Sequence, residues 1–177
     1  RHKELLSKVM AMHKDSEDMN DPSCLSAVLH MYELLRLHEW EKVRSSIQSC
    51  WKYKHCTVVF ALKKLFDACE KDTEDRTAHI AQVLHIPPSN DTMGNSKQVM
   101  MREIRNMLRR SYNQNHTELY SKIVMKTGID AESPILQLFM LQCCRVYCLL
   151  LLQDPPVKAE WSISGTSVDS LEHVNKK

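Results

Sequence analysis

Apolar positions along this chain recur mostly at spacings of three and four, the period of one α-helix face. Leu25, Val28, Leu29, Tyr32 and Leu35 form one such series, behind an Asp21-Pro22 start in which a capping residue precedes proline. Proline fits there because the first helical N–H has no intrahelical acceptor. His38-Glu39 reads as a brief turn, and Trp40, Val43, Ile47, Cys50 and Trp51 then fall in phase on a second helix. After a connection at 52–55, Val58, Val59, Ala61, Leu62, Leu65, Phe66 and Cys69 predict a third. Asp72, with Asp75 three residues on, reads as the start of a fourth carrying Ile80, Val83 and Leu84, stopped before Pro87-Pro88. A short amphipathic stretch at Leu5, Leu6, Val9 and Met10 precedes all of these.

The run PPSNDTMGN at 87–95 is the clearest loop and a candidate sub-boundary. Asn95 or Ser96 then caps a helix whose Met100, Ile104, Met107 and Leu108 are expected to face inward. Asn115 and Glu118 resemble a capping box for a helix ending at Gly128. Ser133-Pro134 opens an apolar run to Leu152, ended by Asp154-Pro155-Pro156. No stretch alternates with period two. The expected fold is therefore all-α: about seven helices in stacked antiparallel hairpins, bundle or short α-solenoid-like, around an apolar central helix at 134–152. Residues 1–153 would form the domain. Residues 154–177, Ser/Thr-rich and aperiodic, would be a mobile tail.

Within this pattern, Leu37-His38-Glu39-Trp40-Glu41-Lys42-Val43 resembles the inter-helix turn of tetratricopeptide-type repeats. Trp40 takes the aromatic place and Val43 the small-residue place, with Ile47 and Cys50 at later core positions. His38 stands where glycine is usual, His30-Met31 where Leu-Gly is usual, and no second copy follows. The resemblance covers roughly 25–55 and implies a helix hairpin.

Composition narrows the function. The 24 Lys+Arg against 22 Asp+Glu leave a net charge of only +2, which argues against a general nucleic-acid binder. Three Gly and six Pro in 177 residues exclude a glycine-rich phosphate loop and a turn-rich β fold. The run 134–152 is about as long as a membrane span requires, but Gln137, Gln142 and Arg145 lie inside it. A core helix is the expected reading, with no membrane partner. Arg1 in place of Met reads as a piece of a longer chain, and no secretory signal opens it. Seven Cys scattered through apolar stretches read as reduced, buried thiols, which points to a nuclear or cytoplasmic location. In that setting the sequons at Asn90 and Asn115 carry no glycan.

Candidate chemistry is thin. Cys50, His55 and Cys56, the pair Cys144 and Cys148, and His79 with His85 lack the paired spacing of structural zinc sites, so no metal or cofactor is expected. No hydrolase elbow, metalloprotease motif or dinucleotide fingerprint occurs, and no Cys sits where a helix N-terminus would activate it. The expectation is thus a non-enzymatic interaction or scaffold domain binding a protein partner or its own copy. Arg102, Arg105 and Arg109, with Arg110 alongside, share a helix face that reads either as a solvated charged surface near Glu103 or as a rim for an acidic peptide, a phosphate or a nucleic-acid backbone. Trp40, Trp51 and Tyr53 are candidate aromatic anchors. The alternative is a helical nucleic-acid-binding module using the same arginine face. Lys158, in Val157-Lys158-Ala159-Glu160, resembles a SUMO acceptor.

Overall fold

The computed structural model describes residues 20–48, 55–87, 94–114, 117–129 and 133–161. These are all-α with no strand among them. Among the described residues five helices occur: α1 over 25–48, α2 His55–Val83, α3 Gly94–Gln114, α4 Glu118–Lys126 and α5 Pro134–Leu151. The expected stretch at 5–10 lies outside the described residues.

The count falls below seven for two physical reasons. The expected turn at His38-Glu39 is a π turn, Leu35–Glu39, inside a helix that continues from Leu25–Leu34 into Trp40–Gln48. A π turn absorbs one extra residue without breaking the helix. The hairpin implied by the repeat-like motif is therefore absent at that point. The second expected break, at Asp72, is also absent, and α2 runs through it. Asp72 does not cap a helix; it is a buried residue within one, 5% exposed. Thr73 next to it turns its hydroxyl back onto the Cys69 carbonyl, and Thr77 onto that of Thr73, which lets these polar side chains sit mid-helix.

Helix ends follow local chemistry. Ser133 precedes Pro134 at the start of α5. At the end of α2, His85 takes a left-handed φ of 53°, while the Ile86 N–H bonds the Ala81 carbonyl and the His85 N–H that of Gln82. That is a Schellman closure with histidine in the place glycine usually holds. Gly128, at φ 65°, holds the equivalent place after α4.

Helix α5 is the hub. It packs against α1, α2, α3 and α4, and α2 in turn meets α3 and α4. Eleven α5 side chains are buried, from Leu136 to Leu151. By length and composition α5 could also cross a membrane; here most of it is covered by the other helices. Residues 154–161, placed by sequence in the tail, fold back along α2 and α5. The Val157 N–H bonds the Leu150 carbonyl, and the Ala159 N–H bonds the Tyr147 hydroxyl. Trp161 meets Phe66, which itself stacks on Tyr147 at 4.0 Å. The remainder of that segment, 162–177, lies outside the described residues.

On α3, Ile104, Leu108 and Tyr112 face the core. Met100 and Met107, expected inward, are exposed, as are Val83 and Leu84 at the end of α2. In each case the covered apolar stripe is narrower than the spacing suggested.

Candidate functional site

Three features of the described residues could carry function. The first is the arginine face of α3. Arg102 Nε donates to Asp154 Oδ2 at 2.7 Å and Arg105 Nη1 to Asp154 Oδ1 at 2.9 Å, so one carboxylate bridges two guanidinium groups. Arg109 Nη2 donates to Asp21 Oδ2 at 2.9 Å and its Nη1 to Gln153 Oε1 at 3.4 Å. The Gln153 amide, itself buried, donates to the Ser23 carbonyl at 3.0 Å. This face therefore ties together the start of α1, the end of α5 and α3. Burial would raise the Asp21 carboxyl, but hydrogen bonds from the Ser23 hydroxyl and backbone, with Arg109, outweigh it and hold the group below its usual range. Three of the four stripe arginines are thus engaged by the chain's own carboxylates, while Arg110 is exposed. An open cleft of about 480 Å³ lies alongside, lined by Lys97, Gln98, Met101, Arg102, Arg105 and Asp154.

The second feature is the junction of α1 with the start of α5. Trp40 packs on Phe139, ring centroids 5.8 Å apart. Trp40 is half-buried in this contact. Within two turns of it, Leu34 and Leu37 on α1 and Ile135 and Leu138 on α5 are exposed, Leu37 at 54% and Leu138 at 53%. The other two aromatic candidates, Trp51 and Tyr53, lie outside the described residues. Lys158 pairs with Glu74 at 3.4 Å and with Glu70 at 3.9 Å, in the non-helical segment that follows α5.

The third feature escapes any reading of spacing. Cys69 on α2 and Cys144 and Cys148 on α5 bring three sulfurs within 4.8 Å of one another, all buried. Cys69 Sγ is 3.5 Å from Cys144 Sγ. The pair one helical turn apart was visible in sequence. The third member, 75 residues away, was not. Hydrogen bonds from Cys148 and then Cys69 push the Cys144 thiol well below its usual range, while that same bonding raises Cys69 and burial raises Cys148. Cys144 is fully buried, so a substrate has no access to it, unlike the partly exposed thiols that act as nucleophiles.

Next to the sulfurs, Asp72 accepts from Tyr112 Oη at 2.6 Å, Arg76 Nε at 2.8 Å and Lys126 Nζ at 3.2 Å. Burial works to raise this carboxyl, yet those donors, Tyr112 foremost, hold it below the usual range. The Tyr112 phenol is in turn raised, first by burial and then by its bond to Asp72. Tyr120 donates to the Tyr112 carbonyl, so the polar cluster is linked to α4. With both oxygens engaged inside the core, Asp72 joins α2, α3 and α4.

Compared with family models, curated proteins and solved structures, the chain matches none.

Proposed function

We propose that this chain is a helical protein-interaction module whose docking surface is the exposed aliphatic patch where α1 meets the start of α5. The observation that carries this reading is the exposure of Leu34, Leu37, Ile135 and Leu138 around the Trp40–Phe139 contact. Interface cores bury aliphatic and aromatic anchors beside a packed base. Here Trp40 and Phe139 form the base, and the four aliphatic side chains offer the area that a partner or a second copy would cover.

In this reading the arginines of α3 brace the fold, and the adjacent cleft with Lys97 is a secondary basic rim. The nucleic-acid alternative is the weaker one. Guanidinium groups already paired with Asp154 and Asp21 have less charge to offer a phosphate backbone.

Sedimentation of the purified chain, alone and with cell extract, tests the proposal. Self-association or stoichiometric co-sedimentation of a companion is expected with the natural sequence. Leu37→Asp combined with Leu138→Asp should abolish it while leaving helical circular dichroism unchanged. Association that survives both substitutions, or its absence from the natural chain, overturns the reading. Strong heparin retention lost steeply with salt would favour the nucleic-acid alternative instead.

A further inference from the structure

We propose that Cys69, Cys144 and Cys148 form a three-sulfur site for one soft monovalent cation of the Cu(I) class. Two thiols one turn apart on α5 face a third from α2, and their sulfurs lie within 4.8 Å of one another. Three sulfurs held at a metal–sulfur distance of about 2.3 Å around a single ion stand about 4 Å apart. The Cys69–Cys144 separation is 3.5 Å. Closing the trio onto an ion thus needs sulfur shifts of about 1 Å or less, within the reach of side-chain rotation.

Donor chemistry selects the ion. All three donors are sulfur, and among the described residues no histidine, carboxylate or fourth cysteine joins the group. All-sulfur sets suit Cu(I), zinc and iron–sulfur clusters, and here the described residues supply only three donors. Structural zinc almost always takes four ligands, and a sealed core offers it no water for the fourth position. All three residues are fully buried, which shields a bound Cu(I) from oxidants and from competing thiols.

Each thiol that coordinates releases its proton to solvent, and the copper enters and stays as Cu(I), so no electron is transferred. Loading occurs as the chain folds or opens, as for other buried metal sites.

Anaerobic titration of the reduced 177-residue chain with Cu(I), against a chromophoric Cu(I) chelator, tests the site. One Cu(I) per chain should be withdrawn from the chelator, with an ultraviolet thiolate-to-copper band and a raised Tm. Cys69→Ala, Cys144→Ala and Cys148→Ala should each abolish stoichiometric uptake, whereas Cys24→Ala and Cys143→Ala, two other buried cysteines, should keep it. X-ray absorption on the loaded natural chain should find three sulfur neighbours and no nitrogen or oxygen, a readout independent of whether any variant folds. Absence of uptake, uptake that survives the triple Ala variant, a two-sulfur or mixed shell, or preferential binding of zinc in a parallel titration would overturn the proposal.

Discussion

At the scale of single residues, buried charge decides the acid behaviour of this protein. Asp72 binds its proton more weakly in the folded chain than its ordinary value of 3.8, because Tyr112, Arg76 and Lys126 all donate to the ionised form. Asp21 does so as well, through Ser23 and Arg109. The unfolded chain therefore takes up more protons as pH falls. The stability these groups contribute is complete above about pH 4 and is lost as pH drops through that value toward their lower folded values. Denaturant unfolding from pH 7 to pH 2 should show this acid limb, and Asp72→Asn should flatten it while lowering stability at pH 7. The arginines should divide by burial. Arg109→Ala strips a guanidinium from a largely covered Asp21 and should cost about 1–3 kcal/mol in the same assay. Arg102→Ala, at an exposed pair whose carboxylate keeps Arg105, should cost at most about 1 kcal/mol. Equal losses at the two positions would mean that burial is not what separates them.

Among the elements, the π turn of α1 carries the most instructive consequence. One residue of an α-helix turns the face by about 100°. Were Leu35–Glu39 regular α-helix with the same residues, Trp40 would be rotated by about that amount out of line with Leu25, Val28 and Tyr32. Deleting the exposed His38 should therefore regularise the helix and leave Trp40 against Phe139, with Tm held or raised in a thermal melt. A marked fall in Tm would show that the bulge does more than absorb one residue. Left-handed closing residues offer a paired test. Gly128→Ala puts a Cβ at φ 65° and should destabilise by about 1 kcal/mol, while His85→Gly relieves strain at φ 53° and should stabilise by up to about 1 kcal/mol. The start of α5 was legible because Ser133-Pro134 states its own chemistry locally. The π turn was not, because Leu37-His38-Glu39-Trp40 looks the same whether the chain reverses or simply gains a residue. The passage through Asp72 was hidden for another reason. An aspartate ahead of an apolar series looks like a cap until Tyr112 arrives from α3 to donate to it and Lys126 from α4 to neutralise it.

For the whole molecule, the all-α class and the apolar helix at 134–151 followed from periodicity alone, since α5 carries buried residues around most of its surface. Distant pairings did not follow. The Asp154 bridge, the Gln153 bond to Ser23, the return of Trp161 onto Phe66 and the meeting of Cys69 with Cys144 each join segments that no short-range pattern relates. Support is also uneven. Helices α2, α3 and α4 brace one another through Asp72, whereas α1 makes its substantial helix contacts with α5. Amide hydrogen exchange should report this as two tiers: early deuterium uptake through 25–48 and late uptake in α2 and α5. Uniform uptake would indicate a single cooperative unit. In the tiered case α1 behaves as a detachable flap. Its release would unmask a strip of α5 and pull Trp40 away from Phe139 while the rest stays folded.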